Sequence, residues 1–248
     1  QVSLLETADV ASLGTAQLVA LGTAQVAALS TSSMVALTTA QFTALTTAQL
    51  VAITTADIAV METTDLASLT TAQTVALTTG QLAALSTAQL SNLATRQVAA
   101  LSTAQLASLA TASLNALTST DFSVLMTRQV AALTADQVAA LETEDFAALS
   151  TAQVAALSTA AVAALSTSSL NGLGTAYFRA LTTAQVSALT ADQVAALETE
   201  DLAALTTAQV AALSTAAVVA LTTDEITAMS TAQVQGFTTA QIVALTSD

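Results

Sequence analysis

The chain has 248 residues, 54% of them hydrophobic, and its 17 acidic side chains against three arginines give a net charge of −14. That charge opposes phosphate backbones and anionic lipid surfaces, so nucleic acid is excluded as an expected partner. With no His, Lys or Cys, general bases and covalent nucleophiles reduce to carboxylates and unassisted hydroxyls, and neither an enzyme nor a cofactor is expected.

From Leu5 onward the chain reads in eight-residue words of the form L-[ST]-T-A-Q-V-A-A, with no insertion or deletion. Position one occurs at 31 sites, of which 27 are Leu and the others Ile53, Met61, Met229 and Phe237. Position three is Thr except at Ser119, Ala135, Ala191 and Ser247. Position five is mostly Gln and sometimes Asp, and position six is a large apolar residue everywhere except Thr74. Apolar runs break after about four to six residues, far short of the roughly 18 of a membrane helix, so no membrane insertion is expected. No charged region followed by an apolar stretch of signal-peptide kind stands at the start.

The spacing excludes one continuous helix. Eight residues at about 100° each overshoot two turns by about 80°, which would carry the Leu stripe round the cylinder. Each word instead carries its own start signal: a hydroxyl followed three residues later by Gln, as at Ser150 to Gln153 and Thr182 to Gln185, is the capping-box pattern. The residues Q-V-A-A-L that follow are good helix formers apart from Val. The chain therefore predicts one and a half helical turns per word, ending at or just after Leu. The near-constancy of Thr at position three favours that Thr as the cap, as it must be at Thr143 and Thr199, where Glu142 and Glu198 precede it.

Helices this short do not stand alone in water, so the words must stack. The expected fold is an all-α solenoid or superhelix of very short helices, one per eight-residue repeat, with two apolar columns inside and Thr, Gln and Ser outside or at the turns. The alternative is a β-solenoid with octapeptide rungs, for which Ala, Gln and Leu are poor strand residues. Residues 1–248 read as one uninterrupted array of 31 octapeptide repeats, a segment of a longer array or one that stacks end to end on copies of itself.

Taken along the chain, the departures from the word are few. Gly14, Gly22 and Gly174 stand at position two. Asp9, Asp65, Asp121, Asp145 and Asp201 replace Gln in the proposed first turn, where the helix dipole favours negative charge. Glu142, Glu144 and Asp145, repeated as Glu198, Glu200 and Asp201 with Asp136 and Asp192 one word upstream, are weak calcium candidates. Acids at helix starts and on a solvated face account for them better, because no glycine-pivoted ligand loop accompanies them. The Thr column reads as capping and inter-repeat bonding, with ice binding or glycosylation as functional alternatives. Phe42, Phe122, Phe146, Phe178 and Phe237 read as core, and Tyr177, in the Gln position beside Arg179, as a decorative substitution or a surface contact. A longer period of 56 residues, seven words, relates the words at Leu5 and Met61 and those at Leu133 and Leu189. Duplication of a block explains it, and so would seven words spanning a whole number of superhelical turns.

The word L-T-T-A-Q-V-A-A-L resembles the LTTAQVAAL-type octapeptide arrays of large secreted or surface-exposed bacterial proteins, often adhesin-like. The resemblance covers the whole chain and implies an extracellular or cell-surface structural role, a stiff stalk, sheath or filament that binds chiefly to itself. A binding module using the Thr face or the acidic words, for ice or as an adhesin, is the alternative. The word also resembles the opening helix of TAL-effector repeats, but the period is shorter, the base-reading loop is missing and the charge has the wrong sign.

Overall fold

The structure is a computed structural model and describes residues 5–245; Ser247, one of the departures from Thr at position three, lies outside them. Over the described residues the fold is an all-α repeat array of 30 short helices, one per repeat, with no strand, so the β-solenoid alternative falls. No helix among them is long and apolar enough to cross a membrane.

Each word folds in the same way. In the helix Thr39–Ala44, Thr38 sits in front with extended backbone (φ −81°, ψ 157°) and its hydroxyl accepts from the Gln41 backbone N–H. The cap is therefore the residue at position two, and the constant Thr at position three is the first helical residue. Thr143 and Thr199 begin their helices in the same way, behind Glu142 and Glu198, whose side chains make no cap hydrogen bond. The expectation that position three caps is corrected: what the cap needs is an extended backbone that aims its oxygen into the first turn.

Helices also stop earlier than expected. Apart from Thr239–Leu245 they end at position six, seven or eight, and the Leu that follows is extended where it caps the helix, as at Leu45 (φ −54°, ψ 138°). Two consecutive extended residues, Leu and hydroxyl, redirect the chain between one helix and the next. The described glycines have no positive φ, so the turn is made by ordinary extended backbone and needs no special residue.

Contacts divide the chain into two compact units, Gln1–Val124 and Leu125–Asp248. In the first, Thr39–Ala44 packs on Thr15–Val19 three words before it and on Thr63–Ser68 three words after it. In the second, Thr183–Ala188 packs on Thr207–Ala212 and Ala135–Ala139 on Thr159–Ala164, again three words apart. Side chains in both units also reach carbonyls 28 and 31 residues back, at the end of the fourth helix before their own. A helix resting on the third and fourth helices before it belongs to a coil of about three and a half words, 28 residues, per turn. Seven words are then two turns, so within the first unit the words at Leu5 and Met61 face the same way, and within the second those at Leu133 and Leu189 do. The 56-residue interval therefore matches two turns of the coil.

The core is the two apolar columns. Position six is closed off almost completely, from Leu18 and Phe42 to Val210 and Val218, and position one is buried beside it from Leu29 to Leu221. Phe42, Phe122, Phe146 and Phe178 are core as expected, whereas Phe237 is only half-buried. Thr74 also fits the apolar column, because its hydroxyl donates to the Thr70 carbonyl. At roughly 1.5 to 3 kcal/mol for each large side chain buried, the columns supply most of the driving force. The Ala positions between them carry no bulk to hold the helices apart.

Candidate functional site

The polar feature that organises each unit is the side chain at position five. The expectation placed Gln outside; from Gln41 onward it is inside, and Gln97 is 0% exposed, whereas Gln17 and Gln25 in the first words stay exposed. Gln41 shows what it does. Its Oε1 accepts from the Thr38 backbone N–H at 2.7 Å, closing the start of its own helix. Its Nε2 donates to the carbonyls of Val10 at 3.0 Å and Leu13 at 2.9 Å, at the end of the helix Thr7–Ser12. One amide thus satisfies an orphan donor at a helix start and orphan acceptors at a helix end one turn below.

The pattern repeats in both units. Gln73 reaches Phe42 and Leu45, and Gln97 reaches Leu66 and Leu69. Gln193 reaches Val162 and Leu165, and Gln241 reaches Val210 and Leu213. Only a primary amide has both an acceptor and two donors on one short stem, which is the reason for Gln at this position. The sequence carried a signal for it: Glu would complete the capping box and suit the helix dipole equally well, so a standing preference for the neutral amide calls for a donor.

Tyr177 belongs to this ladder and is no decoration. Half-buried, it donates its hydroxyl to the Leu149 carbonyl at 2.8 Å, 28 residues back, where Gln would donate. Aspartates at position five work differently, because a carboxylate cannot donate. Asp57 and Asp65 each accept from a threonine 26 residues earlier, Thr31 and Thr39, at 2.7 Å. Glu225 keeps the capping half, accepting from the Thr222 N–H at 2.6 Å, but its Oε1 is buried without a partner where the amide nitrogen would stand.

The calcium candidates do not converge. Glu142 and Glu198 are exposed at the N-cap position, Glu144 and Glu200 are exposed in the first helical turn, and Asp145 and Asp201 point inward and are buried. Asp136 and Asp192 are exposed one word upstream. Among the described residues no group of three or more carboxylates stands close enough to hold a metal ion. Burial pushes the Asp201 carboxyl up to about 6 from 3.8, with Glu198 and Glu200 adding to the effect. The acidic words are thus half solvated face and half buried rung.

The family model of the ALTTAQ repeat matches residues 2–39, 58–95, 74–111, 98–135, 138–175, 167–199 and 194–231. No curated protein matches the chain. The A-L-T-T-A-Q word is the one whose Leu, hydroxyl and amide carry the core, the cap and the ladder, and with seven matches spread over most of its length the chain belongs to the ALTTAQ repeat family.

Proposed function

We propose that the chain is a structural array, a segment of a stalk, sheath or filament at a bacterial cell surface or outside the cell, and that it associates chiefly with copies of itself. The observation that carries this reading is how fully each repeat is consumed by stacking. Positions one and six fill the core, the position-two hydroxyl and the position-five amide close helix ends, and the side chains left outward are mostly Ser, Thr, Ala and carboxylates. Every turn offers amide donors on one side and carbonyl acceptors on the other, so further turns add to it without new chemistry. The negative charge argues against nucleic acid.

Sedimentation of the purified chain over a wide concentration range, with negative-stain microscopy, tests the reading. Concentration-dependent growth into filaments is expected; discrete monomers at every concentration would contradict self-association. The binding-module reading draws on the exposed Thr39, Thr47 and Thr71 at the first helical position. Three and a half words per turn spread such threonines around each unit and off any single plane, which counts against an ice-binding face. Absence of thermal hysteresis is the expected result.

A further inference from the structure

The word Leu173–Ala180 departs from the common residues at four positions, Gly174, Tyr177, Phe178 and Arg179. Local departures from an otherwise consistent pattern are where function is sought. Against this word lies a groove of about 510 Å³, lined by Arg179 and the stretch from Ala203 to Thr207, with Ala228, Ser230 and Gln233 above. That size is within the range of small-molecule sites.

Accounting for its hydrogen bonds shows what the groove can accept. The Ser230 hydroxyl is spent on Gln233 Oε1 at 2.9 Å, and the Gln233 amide on the carbonyls of Leu205 at 2.7 Å and Ala203 at 3.1 Å. The Thr206 hydroxyl oxygen accepts from the Gln209 N–H at 3.3 Å, which leaves its proton to give. Thr207 is exposed, and Arg179 is exposed with no ion pair among the described residues. The uncommitted groups are therefore a guanidinium donor and two hydroxyls that can each donate, with Ala203, Ala204 and Ala228 also lining the groove. No carboxylate lines the groove, although the chain as a whole is strongly acidic.

We propose that this groove binds a sugar acid: its carboxylate on the Arg179 guanidinium, its hydroxyls at Thr206 and Thr207, and its apolar ring face on the alanines. A planar guanidinium pairs with a carboxylate through two parallel hydrogen bonds, and small methyl groups leave room for a ring. The inference is independent of self-association, since every lining residue belongs to one unit.

The test is titration of the full 248-residue chain, ¹⁵N-labelled, with glucuronate, and with glucose and acetate as separate arms. Saturable shifts at Arg179, Thr206 and Thr207 are expected with glucuronate, with at least tenfold weaker binding of both glucose and acetate. Arg179→Gln, an exposed substitution, should weaken glucuronate at least tenfold with unchanged circular dichroism, while Arg96→Gln should leave it unchanged. Binding of acetate as tight as that of glucuronate, equal affinity in Arg179→Gln, or no saturable shift would each overturn the proposal.

Discussion

Replacing Gln97 by Glu changes one nitrogen to oxygen and tests the ladder with almost no change in shape. The side chain is 0% exposed; its Oε1 accepts from the Ala94 N–H at 2.7 Å, and its Nε2 donates to the carbonyls of Leu66 at 2.8 Å and Leu69 at 2.9 Å. A carboxylate keeps the first bond and turns an oxygen toward two carbonyl oxygens. Each buried acceptor left without its donor costs about 1 to 3 kcal/mol, and a buried charge without a partner about 3 to 5. The terms overlap, so the expected loss is about 3 to 5 kcal/mol. At roughly 2 to 4 °C per kcal/mol for a chain of this size, the melting temperature should fall by about 10 °C. Urea and thermal unfolding followed by far-UV circular dichroism measure the loss, and hydrogen exchange should show it as early opening of Thr63–Ser68 and Thr95–Ala100. Gln17→Glu is the control: that side chain is exposed and caps Gly14, and a carboxylate in a first helical turn is neutral to slightly favourable. If Gln97→Glu costs no more than Gln17→Glu, the amide is not holding the turns together and the reasoning fails.

Three further outcomes follow from the same geometry. Glu225→Gln puts a donor in place of the unpartnered Oε1, aimed by register at the carbonyls of Val194 and Leu197, and should raise stability by about 1 to 3 kcal/mol in urea unfolding; a neutral or destabilising effect would contradict the register. Thr46→Ala removes a cap that accepts from the Gln49 N–H at 3.2 Å and should cost about 1 kcal/mol, whereas Thr47→Ala at the first helical position should stay within about 0.5; the reverse order would restore position three as the cap. Asp201, raised to about 6 by burial first and by Glu198 and Glu200 second, holds its proton more tightly in the folded chain than in the unfolded one. Its penalty is therefore full above about pH 6 and shrinks as pH falls toward 3.8, so Asp201→Asn should gain on the order of 1 to 3 kcal/mol at pH 7.5 and progressively less toward pH 4.5. A difference between the two proteins that does not change with pH in urea unfolding would refute this.

The register of eight, the break in every word, the all-α class and the two apolar columns were legible because each rests on local chemistry: helix angle, capping pairs and the size of Leu and Val. The identity of the cap was not legible, because near-constancy does not mark the cap: Thr is nearly constant at position three while Ser, Thr, Glu and Gly all stand at position two. Gln was misplaced for a different reason. Its Oε1 role is local and visible as a capping box, but its Nε2 role joins residues 28 and 31 apart, a distance set by the number of words per turn. That number depends on how closely Ala-faced helices approach, which no single word encodes. The 56-residue interval held the information, since seven words are two turns, but duplication explained the same letters. Tyr177 was misread with Gln, because its partner at Leu149 is found only once the turn length is known.

The chain has no Cys, which permits a direct measurement of turn length. Thr43, exposed, and Ser68, half-buried, in the first unit, place their hydroxyl oxygens 3.4 Å apart at positions 25 residues apart. The double variant Thr43→Cys with Ser68→Cys should form an intramolecular disulfide rapidly under mild oxidation of the folded protein. Thr43→Cys with Ala59→Cys, two words along and about half a turn round the coil, should not. Cross-linking of the second pair as fast as the first, or of neither, would contradict a coil of three and a half words per turn.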